Sequence, residues 1–460
     1  MPPPARALVA AWAGKVTRSL LVMTRRGATA LPGLVALTLE PRLLGMLASG
    51  LDHGVACVTG TNGKTTTTRM LAAAAYEAGW SPVHNRAGSN LERGIVASLL
   101  AATSWGGLVR GDAGLFEVDE ASLPRVLADV SPRVVVVTNL FRDQLDRYHE
   151  VDALARRLHA AIALLPPSTI LVLNADDPLV TFLADGHPGT VAFFGIDDPA
   201  IGGPERQAIS DADRCPRCRA TLSYRRVVLA HEGDWSCGAC GFTRPPRDVA
   251  ALRVALAADS ITMTIAGIVE PLQVPLAGTY NAHNALAALA AARALGIPQA
   301  AALRALAAIR PAFGRQERLE ALGRRIRLLL VKNPAGFDAA VSALLSTGQR
   351  LRLLAALSDR AADGRDVSWI WDCDVERLAA ITEHAVVTGL RGEDLALRFK
   401  YAGLARERVT SVAGWRDATG AAIAATPVGG ELVILATYTA MQAIRAELAR
   451  TGHAGRFWED

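Results

Sequence analysis

Lysine is scarce in this sequence. Only Lys15, Lys64, Lys332 and Lys400 interrupt a basic complement of 49 that is otherwise arginine. Aromatic residues make up 5% of the 460 positions and charged residues 20%, with a net charge of +5. The basic residues are scattered, without a long run and without interleaved aromatics, which speaks against a nucleic-acid surface. No apolar run reaches the length of a membrane span, no secretory signal with a cleavage site is evident, and no internal repeat is visible. About half the residues (51%) are hydrophobic, which excludes wholesale disorder. A chain of this length is expected to form two or three domains.

One further absence is local. Residues 57–68 read CVTGTNGKTTTT. The phosphate-loop pattern G-x-x-x-x-G-K-[ST] asks for a glycine five residues before Gly63, where Val58 stands. Yet HGVACVTG reads as a short buried strand and TTTTRMLAAAAYEAG as the helix after it. The loop between them therefore lies where backbone N–H groups and a helix N-terminus attract phosphate oxygens. Gly60, Thr61, Asn62, Gly63, Lys64, Thr65 and Thr66 are candidate nucleotide-binding residues. Lys64 is placed to reach the β and γ phosphates of ATP, and the Thr65 hydroxyl suits Mg²⁺.

Six cysteines are present, and four form CPRC (215–218) and CGAC (237–240). The spacing C-x2-C-x18-C-x2-C is that of a four-thiolate zinc site at Cys215, Cys218, Cys237 and Cys240. Two disulfides would be the alternative, disfavoured without a secretory signal; a redox pair is a third. The intervening YRRVVLAHEGDWS has strand character and suits a zinc ribbon. Cys57, in a strand-like run, reads as a small apolar residue.

Strand-like runs recur at LFEVDE (115–120), RVVVVTNL (133–140) and TILVLNA (169–175), separated by helical stretches. Such alternation indicates an α/β fold with a mostly parallel sheet. Residues 254–278 look antiparallel, and a second α/β pattern starts after RPAFGRQERLE (310–320). We expect an N-terminal segment (1–50), a central ATP-binding domain (51–309) with the ribbon inserted at about 205–247, and a C-terminal α/β domain (310–460). The opening PARALVAAWAGKVTRSLLVMTRR carries apolar residues at helix-like spacing among Arg and Lys. It is either a surface helix packed on the body or a helix lying near an anionic membrane surface.

Four segments together resemble the Mur ligase family of ATP-dependent amide-forming enzymes. TGTNGKTTTT is similar to that family's G-T-N-G-K-T loop, which lacks the first glycine. FEVDEAS (116–122) resembles its acidic strand end, which implies Mg²⁺ on Glu117. GTYNAHNALAA (278–288) resembles its G-x-H-N-x-x-N segment, which places Asn281 and Asn284 near adenine, with Tyr280 where histidine is usual. FGRQERLE (313–320) resembles its interdomain G-R-x-E linker and makes Arg315 a nucleotide contact. The segment NLFRDQLDRYHEVD departs from the family's D-H-x-D, with Gln144 in the place of a metal-binding histidine. The resemblance thus implies a Mur ligase-like central P-loop ATPase domain with a parallel sheet.

About fifty residues precede the loop, too few for the UDP-binding domain of the amino-acid-adding members. With the four-cysteine ribbon, this resembles the branch of the family that amidates D-glutamate in lipid II. That implies a GatD-like glutaminase partner in a heterodimer, with the lipid II substrate met at the inner face of the cell membrane. Lys64 and Glu117 would then be catalytic in phosphoryl transfer. Neither Cys57 nor Cys373 sits in a turn suited to a glutaminase nucleophile, so ammonia must come from another chain. The resemblance adds that an aspartate of ADGRDVSWIWDCDVE (362–376) completes the partner's Cys–His pair. Asp363, Asp366 and Asp372 are the candidates; Asp366 is preferred and Asp363 next, although a turn carboxylate usually serves only its own loop. Trp369 and Trp371 beside them suit an interface. The competing readings are a folylpolyglutamate-synthetase-like or amino-acid-adding ligase needing no partner, and a non-catalytic zinc-ribbon scaffold.

Overall fold

From Val55 onward the chain alternates strands and helices, as expected where apolar runs of strand length are separated by amphipathic ones. The computed structural model describes residues 4–24, 29–85, 89–142, 151–204, 211–257, 259–310, 315–345 and 348–454. The first strands are β1 (Val55–Thr59), β2 (Pro82–His84), β3 (Ala113–Glu117), β4 (Val134–Val137), β5 (Ile170–Asn174) and β6 (Val191–Ile196). A hairpin follows, β7 (Ser223–Leu229) and β8 (Glu232–Ser236), and then β9 (Val249–Leu256), β10 (Ile261–Ile265) and β11 (Leu272–Val274).

Nine of these form one sheet in the order β11-β10-β9-β6-β5-β4-β1-β3-β2. It is parallel from β2 across to β9, and antiparallel where β10 meets β9 and β11, within the region expected from sequence. The central strands are apolar except at their carboxyl ends, where Thr59, Glu117 and Asn174 stand, because both faces are covered. In β1, Ala56 and Val58 enter one core with the helices Lys64–Glu77 and Thr279–Leu295, while Val55 and Cys57 enter the other. The four valines of β4 divide in the same way and are fully buried. Each such side chain contributes about 1.5–3 kcal/mol relative to exposure.

The helices Ala5–Met23, Leu31–Leu39 and Leu43–Ala48 precede β1. The first buries Ala7, Ala10, Ala11 and Gly14. A Cβ on Gly14 would stand 2.5 Å from Leu100 Cδ1 and 3.0 Å from the Pro32 carbonyl oxygen, so this close helix contact requires glycine. The expectation of a helix packed on the body is met along this side.

The hairpin β7–β8 is a separate two-stranded sheet. Its small core holds Leu222, Trp235 and Phe242 beside Cys215 and Cys237. Beyond it come β12 (Arg315–Ala321), β13 (Arg324–Leu330), β14 (Leu351–Ala356), β15 (Thr382–Thr388), β16 (Val409–Ser411) and β17 (Glu431–Ala436). They form a six-stranded sheet in the order β12-β13-β17-β14-β15-β16, parallel except for the β12–β13 pair. One detail differs from the sequence expectation: β3 ends at Glu117, not at residue 120. Val118 turns away to donate its N–H to Val58, which leaves Glu117 at the strand's carboxyl end.

Candidate active site

The loop after β1 is held open by glycine and braced from β4. Gly60 and Gly63 have φ of 127° and 89°, which disfavour any residue with a Cβ. A Cβ on Gly63 would lie 2.1 Å from Asn284 Oδ1, so the loop and the Asn281–Asn284 turn are in contact. Thr61 Oγ1 donates to the Phe141 carbonyl and accepts from Phe141 N–H, and Asn62 N–H donates to Asn139 Oδ1 at 2.8 Å. Thr138 Oγ1 donates to the Asn62 carbonyl at 2.7 Å. These contacts fix the backbone of 60–63 before any ligand arrives.

Lys64 opens the helix Lys64–Glu77, and its ammonium is buried. It donates to the Gly60 carbonyl at 2.5 Å and to Glu120 Oε2 at 3.0 Å. Glu120, also buried, was not singled out in the sequence, although it lies three residues beyond Glu117 in the same acidic segment. Thr65 Oγ1 donates to Glu117 Oε2 at 2.7 Å. Asn85 clamps the Glu117 backbone, accepting from its N–H at 2.9 Å and donating to its carbonyl at 2.8 Å. Thr65 and Glu117 thus present adjacent oxygens that fit a hard cation such as Mg²⁺.

Asn281 and Asn284 lie on the first turn of the buried helix Thr279–Leu295, joined by an amide hydrogen bond of 3.0 Å. Thr66, Tyr280 and both asparagines line a cleft of about 100 Å³ with Lys332 and Gly336 of the C-terminal half. Asn333 also reaches the loop: its Nδ2 donates to Asn62 Oδ1 at 3.2 Å and its Oδ1 accepts from Asn62 Nδ2 at 3.4 Å. Its Oδ1 further caps Gly336 N–H at 2.8 Å. Tyr438, at the start of the last helix, has its phenol pushed up by burial and by the carboxylates of Asp363 and Glu117. The two halves of the chain therefore meet at the phosphate side of the site.

The tip of the β7–β8 hairpin reaches the same cleft, a feature absent from the sequence expectation. Leu229 and Glu232 line it. Burial pushes the Glu232 carboxyl up to about 7. His283 Nδ1 stands 3.6 Å from Glu232, and its Nε2 is 2.8 Å from Asp176. Against the cost of burial, the carboxylates of Glu232 and Asp176 hold the His283 imidazole above its ordinary pKa. Arg244 completes the cluster on Asp176, itself held low despite burial by His283 and Arg244.

The four ribbon sulfurs all lie within 4.8 Å of one another, Cys215 to Cys240 at 3.6 Å and Cys218 to Cys237 at 3.5 Å. Four sulfurs placed about 2.3 Å from a tetrahedral ion would be roughly 3.8 Å apart, so the cluster can hold a metal. No disulfide joins them. The two knuckles repeat one turn: Arg219 N–H returns to Cys215 O at 2.8 Å, and Gly241 N–H to Cys237 O at 3.0 Å. Both turn residues have positive φ, 67° at Arg219 and 74° at Gly241.

The aspartates of the 363–374 segment are not equivalent. Asp363 is buried and accepts from Thr439 N–H at 2.8 Å and from Thr439 Oγ1. Asp366 is half-buried and is held low by the Ser368 side chain and by Ser368 N–H, from which it accepts at 2.8 Å. Asp372 is exposed and lies 3.5 Å from Arg142. Trp371 is exposed and meets Tyr401 edge-on, whereas Trp369 packs partly into the C-terminal core. Gln144 and the Arg315 side chain lie outside the described residues.

Residues 58–216 match the Mur ligase middle domain family, and residues 330–441 the MurT ligase C-terminal family. The chain is 33% identical over 444 residues to the "Lipid II isoglutaminyl synthase (glutamine-hydrolyzing) subunit MurT" of Streptococcus pneumoniae, covering 95% of this chain and 96% of that one. It is 31% identical to the Staphylococcus aureus protein of the same description, covering 94% and 95%. Among solved structures, a pseudomurein peptide ligase type C from Methanothermus fervidus aligns at TM-score 0.65 and 20% identity, over 86% of this chain and 78% of the other. Folylpolyglutamate synthase from Mycobacterium tuberculosis aligns at 0.59 and 18%, over 96% and 100%. At these identities the two structures attest a shared fold. The sequence relatives decide the branch: this chain belongs to the MurT family of Mur ligases.

Proposed function

We propose that this chain is the ATP-dependent synthetase half of a two-chain ligase that amidates the α-carboxylate of D-glutamate in the lipid II stem peptide. One observation carries the reading: a braced loop brings Lys64, Thr65 and Glu117 together in a chain related end to end to MurT subunits. A carboxylate does not exchange oxide for ammonia unaided. Transfer of the ATP γ-phosphoryl group to that carboxylate gives an acyl phosphate and ADP. Ammonia then attacks the acyl carbon, phosphate leaves with the C–O bond electrons, and the surplus proton of nitrogen is lost to yield the amide.

Lys64 neutralises charge on the transferring phosphoryl, and Thr65 and Glu117 would hold Mg²⁺, which would supply further positive charge there. Gln144 would add a neutral oxygen ligand, and Arg315 a nucleotide contact. The ribbon cysteines hold zinc in a structural role. Ammonia comes from a glutaminase partner in a heterodimer, and the lipid-linked substrate brings the complex to the inner membrane face. Because Asp363 is committed to Thr439, Asp366 is the carboxylate we assign to orienting the partner's histidine.

The test uses this chain purified with its glutaminase. Asp366→Asn should abolish glutamine-dependent amidation while leaving ammonium-dependent amidation within a few-fold of the parent. Loss of both, or retention of both, would remove Asp366 from the shared site.

A further inference from the structure

The helix Ala5–Met23 is apolar on two opposite sides. One side, through Ala7, Ala10, Ala11 and Gly14, packs on the body. At 100° per residue, Val9, Trp12, Val16, Leu20 and Met23 share the other side, and all five are exposed. Leu31 and Leu34 of the helix packed against it are exposed as well. Trp105 and Leu108, on a nearby loop, are 60% and 66% exposed, and the Trp12 indole N–H donates to the Trp105 carbonyl. Nearly half of the large apolar side chains exposed among the described residues fall in this small part of the chain. A helix that is apolar all round is ordinarily covered.

Charge identifies the cover. No acidic residue occurs before Glu40, whereas Arg6, Lys15, Arg18, Arg25 and Arg26 do. These first 39 residues therefore carry five positive charges, as many as the net charge of the whole chain. Arg6 and Arg18 are exposed along the same helix, Arg6 also lying 3.6 Å from Glu40. Lys15 lies 5.1 Å over the Trp105 ring while donating to the Leu100 and Thr103 carbonyls. Apolar residues flanked by cations, with two exposed tryptophans, match the boundary between lipid headgroups and acyl chains. Among the described residues no helix is long and apolar enough to cross a membrane, and the docking inferred is along the surface.

We infer that the helix Ala5–Met23 docks this protein on an anionic lipid bilayer, its Val9–Met23 face dipping into the acyl boundary and its basic residues meeting headgroup phosphates. The inference stands apart from the amidation reading, since lipid binding is measured without ATP, glutamine or acceptor.

The test is sedimentation of the full chain with vesicles of phosphatidylcholine alone and of phosphatidylcholine mixed with phosphatidylglycerol. The chain should sediment with the anionic vesicles and be released by salt. Val16→Glu combined with Leu20→Glu should weaken binding about tenfold or more, with an unchanged melting temperature because both positions face solvent. Arg6→Gln with Arg18→Gln should also weaken it about tenfold, through charge alone. Undiminished binding by both pairs would overturn the inference. So would a parent that self-associates, or binds its glutaminase, through this face and loses that association in the Glu variant without any vesicle binding to lose.

Discussion

Lys64 and Glu120 form a buried ion pair. Removing one member of such a pair leaves an uncompensated charge and costs about 3–5 kcal/mol. Glu120→Gln keeps the shape and takes away the charge, so the free protein should melt several degrees lower. Saturating Mg-ATP should recover most of that loss, because phosphates then supply the negative charge that Lys64 lacks. Thermal melts with and without nucleotide are the measurement, and equal destabilisation in both would show that Glu120 serves only the fold. Lys64→Ala should instead lower kcat by about 100- to 1000-fold, the usual cost of one transition-state charge donor. Glu117 was legible in the sequence because it resembles a strand-end motif. Glu120 was not, since a glutamate in a short acidic stretch reads as solvated until Lys64 is seen to fold back toward it.

At the scale of elements, the central strands of the first sheet could be read directly, whereas β2, β6 and β12 were not singled out. Burial on two faces leaves runs such as VVVV with no polar residue to confuse the period. The knuckles were legible for a different reason: two C-x2-C pairs fix a metal geometry whatever surrounds them. What the hairpin between them does was not legible. HEGD carries three ionisable residues, yet His231 and Glu232 are buried, because the hairpin folds back beside the end of β5 and donates Gly233 N–H to the Asp176 carbonyl. Tertiary pairing decides this, and no local pattern encodes it. Metal analysis of the protein purified without added zinc should find one equivalent, and Cys215→Ser should lose it. With Trp235 hydrogen-bonded to the Ala175 carbonyl, loss of metal should loosen the hairpin and raise KM for ATP as well as lower the melting temperature. Unchanged ATP kinetics in the metal-free protein would show that the tip is held independently of the knuckles.

For the whole molecule, pH acts through the buried cluster under the cleft. Glu232 has a folded pKa of about 7 against 4.5 when unfolded. Between those values the native state keeps a proton that the unfolded chain has lost, so this group's contribution to stability is full below 4.5 and declines as pH rises through about 7. Glu232→Gln should therefore flatten the stability profile across that window, as read by denaturant unfolding at a series of pH values; an unchanged slope would mean that Glu232 is ionised throughout.

The reciprocal amide pair between Asn62 and Asn333 has a kinetic meaning. A cleft of about 100 Å³ is smaller than the several hundred Å³ that drug-sized ligands occupy. Where a nucleotide parts the two halves, this pair breaks as they separate. Two such hydrogen bonds contribute about 1–3 kcal/mol together. The pair thus favours the closed arrangement, and apparent nucleotide affinity is weakened to the extent that opening is required. To that extent nucleotide association is slower than diffusion allows, with its pace set by how often the two halves come apart.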